Sequence, residues 1–505
     1  MAYDGIITKA VVNELNNSIL NGRIDKIFEP SKLEIILGIY NNKTNYALYL
    51  STHPVNYRCH LTTRAKPNPA TALNFCMVLR KHLLGFRITK ISSFDLERII
   101  ELELEGLNEL HDVVNKKLII EIMGKHSNII LVNSNNIIID SLKHVDTSIS
   151  SFREVLIARE YVSPKKAENN TWMQKYNNVD DVISAIDNNS VLCEISEDKK
   201  DYILTINKNT EVLPVNFFLD DFYFNKEDLE KYINYKNSLF KIITDTLSKY
   251  TKRIKNIKNK IDDCKDMDKY KMYGDLIISN LYKINPNDTS VTLENFYDNN
   301  NLITIPLDNS LSPSHNANKY FKKYNKLKNT LKIVEQQRLD TLEEIKYVES
   351  LVYEIQDSSD YENLREIELE LIENGLTKKT YLKNKKDIVS EPLKFIIDGF
   401  IVLVGKNNKQ NELLTLKTAR NSDIWFHTKT VHGSHVVLKV ENKQITDNVL
   451  LKCAELAAYY SKAKETSKVE VDYTYIKNVK KIPGSKTGMV NYTDFKTLVV
   501  KPKMY

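Results

Sequence analysis

Five cysteines in 505 residues are too few and too scattered for a disulfide framework. Cys59, Cys76, Cys193, Cys264 and Cys453 are odd in number and never form a C-x-x-C pair. That excludes a cysteine-built zinc site and fits a reducing compartment. No uninterrupted apolar run approaches the roughly 20 residues that a membrane span needs. The opening, MAYDGIITKAVVNELN, places Asp4 where a secretory signal would carry positive charge, and no apolar core follows. A soluble cytoplasmic chain without a membrane partner is therefore expected. Charge of one sign is also scarce. Lys+Arg number 72 against 66 Asp+Glu, a net charge of +6, so attraction to a polyanion has to come from local clusters.

Catalytic signatures are missing too. There is no H-E-x-x-H, and Ser434 sits in G-S-H rather than in a G-x-S-x-G elbow. The GSKTG at 484–488 lacks the spacing of G-x-x-x-x-G-K-[ST], so nucleotide hydrolysis is not expected. No metal and no other cofactor is expected.

What is present divides into parts. A hydrophobic content of 42% supports packed domains, and the length suggests three or four units. Residues 1–165 predict a mixed α/β domain. A helix starts near Asp4 and runs through Val11, Val12 and Leu15. It is followed by the strand-like runs LEIILGIY, YALYLS, FRITKISSF, RIIELELEG, KLIIEIM and NIILVN. Between them TALNFCMVLRKHLLG has helical spacing and a terminal glycine suited to a C-cap. Residues 166–225 contain no glycine and predict a small helical unit.

Residues 226–378 have a different pattern. Phe240, Ile243, Leu247, Tyr250, Ile254, Ile257, Ile261 and Cys264 follow a 3-4 rhythm. A second series runs Tyr320, Tyr324, Leu327, Leu331, Val334 and resumes at Ile345, Val348, Val352 and Ile355, with Arg338 and Thr341 interrupting two core positions. Such heptads predict a coiled coil folded back as a long antiparallel hairpin across a loop-like connection. Each arm would reach roughly 60–80 Å at 1.5 Å per residue. An acidic helix and the basic linker KKTYLKNKKD follow. Residues 391–505 then predict a small α+β domain, with an Asp398-Gly399 hairpin turn and one amphipathic helix carrying Val449, Cys453, Leu456, Ala457 and Tyr460 on one face.

That last domain holds DIWFHTKTVHGSHVVLK, residues 423–439, which gathers a tryptophan, three histidines and two lysines. No acidic or cysteine ligand lies at a familiar offset from His427, His432 and His435, which argues against zinc. RNA contact fits better. Trp425 and Phe426 offer stacking surface, while Lys429, His432, His435 and Lys439 can donate to phosphates. Lys477, Lys480, Lys481 and Lys486 add a basic stretch around a Pro-Gly turn, and Gly488 would let backbone approach a ligand closely.

Several long, colinear stretches resemble the NFACT family. They are the opening MAYDGIITKAVVNELNNSILNGRIDKIFEP, FCMVLRKHLLGFRI, EIMGKHSNIILVN, the segment from VGKNNKQ to GSHVVLK, and LAAYYSKAKETSKVEVDYTYIKNVKKIPGSKTGMV. The resemblance implies a multidomain α+β chain with four parts: an NFACT-N domain, a helix-hairpin-helix-like unit, a middle coiled coil and an NFACT-R RNA-binding domain. It also implies a non-catalytic role in ribosome-associated quality control. Partners would be large ribosomal subunits carrying peptidyl-tRNA, ribosomal RNA, and tRNA, alanyl-tRNA above all, recruited for template-free tailing. The family's tRNA-handling Asp-Arg strand pair falls on Glu97 and Arg98. The resemblance also implies tRNA-binding roles for Asp4, which matches the family's start, and for Lys125, which stands where an arginine is common. In the NFACT-R part, Trp425, His427, Lys429, Ser434 and His435 would shape or face RNA, with Gly433 allowing close approach. The glycine-free stretch departs from the family's helix-hairpin-helix pattern. Ala2 and Tyr3, in place of an N-terminal proline, exclude the related DNA glycosylase chemistry. Two other readings remain: a surface adhesin binding fibronectin, and an RNA-binding protein without tailing activity.

Overall fold

The computed structural model describes residues 3–108, 110–164, 171–196, 201–206, 214–378, 390–441 and 443–505. The chain divides into two compact units, Met1–Glu230 and Lys231–Tyr505.

The first unit is built on helix α1 (Gly5–Ile19). Its buried positions, among them Ile6, Ile7, Ala10, Val11, Leu15 and Ile19, cover most of its circumference, as in a helix enclosed by a core. Nine strands supply that core: β1 (Arg23–Ser31), β2 (Glu34–Asn41), β3 (Thr44–Ser51), β4 (Arg58–Leu61), β5 (Arg87–Ser93), β6 (Ile99–Leu107), β7 (Val113–Glu121), β8 (Asn128–Asn133) and β9 (Ile138–Ser141). They form one sheet in the order β4-β3-β2-β1-β5-β6-β7-β8-β9. Every pairing is antiparallel, so the domain is α+β in its topology. Helix α2 (Asn74–Leu83) lays Phe75, Cys76, Leu79 and Leu83 into the same core and stops before Gly85, whose φ of +84° suits the expected glycine C-cap. The sheet curls strongly. Lys143, past β9, donates from Nζ to the Thr52 carbonyl, past β3, at 2.9 Å.

The helical unit expected at 166–225 is corrected by the structure. Residues 165–170, 197–200 and 207–213 lie outside the described residues. Besides the short 3-10 turn Thr171–Lys175 and the start of a long helix at Val215, the rest form one helix, α3 (Val179–Asp187), and a β-hairpin of β10 (Val191–Ile195) and β11 (Tyr202–Ile206). Val191, Cys193, Tyr202 and Leu204 are buried at alternate positions, a period-two pattern short enough to be hidden among acidic neighbours. With Val182, Ala185 and Ile186 they join the core of the nine-stranded sheet, so the segment has no core of its own.

Helix α4 (Val215–Asp263) begins in the first unit, and in the second unit its stretch from Lys231 onward runs antiparallel to α6 (Pro313–Asp357). Tyr232 donates its hydroxyl to the Ser358 carbonyl, and Leu239 and Ile243 pack with Val348, Leu351 and Ile355. The heptad hairpin is therefore present, each helix about 70 Å long. Two details differ from expectation. The connection is a folded tip, not a loop. Helix α5 (Met267–Ser279) and the hairpin β12 (Ser290–Asn295) and β13 (Asn301–Pro306) close a small core of Tyr273, Leu276, Ile277, Leu293, Ile305 and Ala317. At the base a third helix, α7 (Tyr361–Glu373), packs on α6 and turns its buried face to Tyr347, Val348, Leu351 and Ile355 in place of the strict heptad. Thr341 is buried within the heptad face because its hydroxyl donates to the Gln337 carbonyl of its own helix at 2.7 Å.

The basic linker at 379–389 lies outside the described residues. The terminal domain follows with β14 (Leu393–Ile397), β15 (Phe400–Val404), α8 (Asn408–Leu413), β16 (Ile424–Thr428), β17 (Val436–Lys439), α9 (Asp447–Tyr459), β18 (Val469–Tyr475), β19 (Val479–Lys481), β20 (Val490–Tyr492) and β21 (Lys496–Val500). Asp398 and Gly399, at φ +48° and +79°, make the expected turn between β14 and β15. The six-stranded antiparallel sheet runs β14-β15-β17-β16-β18-β21, and α9 covers one face. Its opposite face carries Trp425 and His427 of the candidate site.

Candidate nucleic-acid interface

Strand alternation sorts the 423–439 segment into two faces. Ile424 and Phe426 in β16, with Val436 and Leu438 in β17, turn toward α9. Trp425 and Val437 turn the other way and pack with Leu414, Ile476 and Val479. His427 shares that second face. Its ring stacks on Trp425 at 5.6 Å with a 9° tilt, and His435 stands edge-on to both, 5.2 Å from Trp425 and 5.4 Å from His427. Tyr492 of β20 closes the layer 4.8 Å from Trp425.

This layer lies deeper than surface stacking requires. Trp425 is 1% exposed and His435 4%. His435 Nδ1 is 2.7 Å from the Thr415 hydroxyl, inside a π-helical turn at Leu414–Thr418. Burial pushes the His427 pKa down to about 4, with the nearby His432 adding to the shift, and pushes His435 well below the ordinary histidine value. Both rings are neutral at physiological pH, so neither supplies a cation to a phosphate. His435 does not face outward, contrary to expectation.

Several other residues expected to meet a ligand are used internally. Lys439 donates to the buried Asp423 at 2.8 Å. Lys481 pairs with Glu412 at 2.7 Å and Lys486 with Glu344 at 3.3 Å. At Gly433 the close approach is to Thr428 and Ser461, which an added Cβ would meet at 2.8 and 2.9 Å. Ser434 donates its backbone N–H to the Tyr460 carbonyl. At Gly488 (φ +77°) the close neighbour is Asn408.

The exposed cation of the segment is Lys429, loosely paired with Glu470 at 3.9 Å. His432 lies 3.9 Å from Glu349 of α6. Sequence reasoning missed Lys346, Lys406, Lys462 and Tyr353, which α6, the β15–α8 turn and the end of α9 bring to the same cleft. The three lysines stand 56 to 116 positions apart along the chain, so no local motif could have flagged them.

In the first unit the Glu97–Arg98 pair sits in the turn between β5 and β6, immediately before β6 rather than on a strand. Asp95 and Leu96 hold the turn with φ of +37° and +57°. Pairing of Ile99 with Glu121 sets this turn beside the end of β7, where the Ile122 N–H donates to the Arg98 carbonyl at 2.8 Å. Lys125, exposed in the short helical turn Gly124–His126, follows directly. Glu97, Arg98 and Lys125 thus share one end of the sheet. Beneath them Glu121, fully buried, takes a two-pronged hydrogen bond from Arg153, both contacts at 2.6 Å. Asp4 is elsewhere and fully buried. It caps α1 through the Ile7 N–H at 3.0 Å and accepts from the Tyr176 hydroxyl at 3.1 Å, and burial raises its pKa. Its carboxylate holds the core helix. Among the described residues no group of histidine, cysteine and carboxylate side chains could hold a metal ion, and no helix is long and apolar enough to cross a membrane.

The molecule is a multidomain α+β protein ending in an RNA-binding domain: residues 394–494 match the NFACT protein RNA binding domain. Residues 4–171 and 165–389 match the NFACT N-terminal and middle domains, and the chain belongs to the NFACT family. It is 33% identical to the Rqc2 homolog RqcH of Bacillus subtilis (strain 168), across 99% of this chain and 98% of that protein. It is 34% identical, with the same coverage, to the Rqc2 homolog RqcH of Streptococcus suis (strain 05ZYH33). Among solved structures, the C-terminal part of the fibronectin/fibrinogen-binding protein from Streptococcus suis is 32% identical and covers 54% of this chain and 96% of that one, with a TM-score of 0.44.

Proposed function

We propose that this protein is a ribosome-associated quality-control factor. It binds large ribosomal subunits obstructed by peptidyl-tRNA and recruits tRNA, alanyl-tRNA above all, for template-free extension of the stalled chain. The observation that carries this reading is the full-length, colinear match to the RqcH relatives. The protein performs no covalent step in this reading. Peptide transfer belongs to the ribosome, and the chain positions RNA. Arg98 and Lys125, side by side at one end of the first sheet, serve as tRNA contacts, since a guanidinium can hold phosphate or a base edge through two hydrogen bonds. Glu97 keeps the negative charge of the family's Asp-Arg pair on a longer side chain.

The test is to pull the tagged protein from growing cells and sequence the RNA that comes with it, alongside Arg98→Ala. Large-subunit ribosomal RNA with one enriched tRNA, reduced in the variant, is expected. Ribosomal RNA without any tRNA enrichment would leave a ribosome-binding protein that does not tail. Absence of both RNAs would refute the proposal and favour the fibronectin-binding adhesin.

A further inference from the structure

We propose that the cleft between α6 and the open face of the terminal sheet is a pocket for a single nucleotide, its base against the Trp425 layer and its phosphate at a lysine rim. The inference rests on the RNA-binding reading and deepens it by naming the unit of RNA that is held.

The cleft encloses about 570 Å³, within the range of small-ligand sites. One wall is aromatic: Trp425 and His427 from the six-stranded sheet, Tyr492 from the separate β19–β20 hairpin, and Tyr353 from α6. Planar, neutral rings of this kind suit a base. Two buried polar atoms among its lining residues have no hydrogen-bond partner, the Trp425 indole Nε1–H and Glu354 Oε2. Trp425 is 1% and Glu354 6% exposed, so ordinary solvent does not serve them. Burial and the neighbouring Glu370 raise the Glu354 pKa well above the carboxylate range, which leaves it a neutral acid. An indole N–H and a protonated carboxyl are both donors, and every nucleobase carries carbonyl oxygen or ring nitrogen to accept from them.

The rim supplies the opposite chemistry. Lys346, Lys406 and Lys462 line the cleft, and none has a salt-bridge partner among the described residues. Burial lowers the pKa of His432 most; Lys346 and Lys462 both lie close enough to lower it further, while Glu349, 3.9 Å from His432, raises it. Glu349 and Asp357 also line the cleft, so the rim is of mixed charge. Unpaired ammonium groups around an aromatic floor match a phosphate joined to a base. A metal ion would leave the floor unused, and an inorganic anion would leave the two buried donors unmet.

The test uses the full-length chain with Trp172→Phe, which leaves Trp425 as its one tryptophan. Its fluorescence is followed as 5′-AMP, CMP, GMP and UMP are added separately, with ribose 5-phosphate and inorganic phosphate as controls. Saturable quenching by at least one nucleotide and by neither control is expected. The corresponding nucleoside should bind on the order of tenfold more weakly, the scale of one lost contact to a charged group. Lys462→Ala should weaken the nucleotide but not the nucleoside. Thr487→Phe, which fills the cleft from a partly exposed loop, should abolish quenching while the thermal transition stays in place. No quenching by any of the four nucleotides, in a protein that still retains ribosomal RNA on a filter, would overturn the pocket and leave the RNA reading intact. Equal quenching in Thr487→Phe would also overturn it, by placing the nucleotide elsewhere. Nucleotide binding without ribosomal RNA binding would uphold the pocket and sink the RNA reading.

Discussion

At the scale of single residues, the side chains that matter most are buried ones holding exposed neighbours in place. Glu121 and Arg153 illustrate this beneath the Arg98 and Lys125 turns. Arg153 is 12% exposed at its side chain and Glu121 not at all. Removing one partner leaves a buried charge unpaired, so Arg153→Ala should cost about 3–5 kcal/mol, measured by chemical denaturation. A loss below about 1 kcal/mol, the range of exposed pairs, would show that the pair is solvated. Asp4 acts in the same way at the start of α1. Asp4→Ala removes a cap and the acceptor of the Tyr176 hydroxyl, and about 1–3 kcal/mol of destabilisation is expected. A tRNA-binding defect in a fully stable Asp4→Ala protein would contradict this structural role.

At the scale of elements, the junctions between helices set the behaviour of the arm. Gly274 of α5 lies against Phe321 of α6, and a Cβ there would come within 2.6 Å of the ring. Gly274→Ala should therefore loosen the tip by about 1–3 kcal/mol. Faster amide exchange is expected in α5 and the β12–β13 hairpin, with the base of the arm unchanged. The base itself is sensitive to pH. Burial and the charge of Glu373 raise Glu370 of α7 to about 7, against hydrogen bonds from Tyr347 and Asn408, and Glu354 of α6 is raised further. In the unfolded chain both ionise near pH 4.3, so the folded protein holds the extra protons above that value. Their contribution to stability is full below about pH 4.3 and is lost as pH rises through 7. His427 and His435 act in the opposite direction. Their pKa values fall on folding, so their contribution is present above about pH 6.5 and lost on acidification. The two trends oppose each other below pH 6.5, and above it the carboxyls alone remain. The melting temperature should fall between roughly pH 6.5 and 8, and Glu370→Gln should flatten that slope. An unchanged slope would mean that the pair does not titrate in this range.

At the scale of the whole molecule, the proposed binding to a large ribosomal subunit has to rest on a net charge of only +6. Local placement resolves this. Lys125 beside Arg98 in one unit, and Lys346, Lys406, Lys429 and Lys462 in the other, form clusters that the overall balance conceals. Joined in one chain, several weak contacts raise one another's effective concentration. Each neutralised phosphate releases counterions, so raising salt from about 50 to about 200 mM should weaken large-subunit binding by orders of magnitude. Binding indifferent to salt would exclude phosphate contacts as its source.

Periodicity and turn chemistry act over a few residues, and on those the sequence alone was decisive. It determined α1 with its Asp4 start, six strands of the first sheet, the two heptad helices, the Asp398-Gly399 hairpin and the terminal α+β domain. Where local patterning is interrupted it was silent, as at β1, or misleading, as at 166–225, where it predicted a helical unit and a β-hairpin forms. β1 carries a register shift between Ile24 and Lys26 that breaks its alternation, and β10 and β11 are too short to show theirs. The candidate surface depends on longer separations. Only tertiary structure decided that Trp425 and His435 are buried, that Lys439 belongs to Asp423, and that lysines from α6, the β15–α8 turn and α9 share one cleft. Those outcomes are set by which elements pack together, and packing is a property of the folded chain rather than of any segment of it.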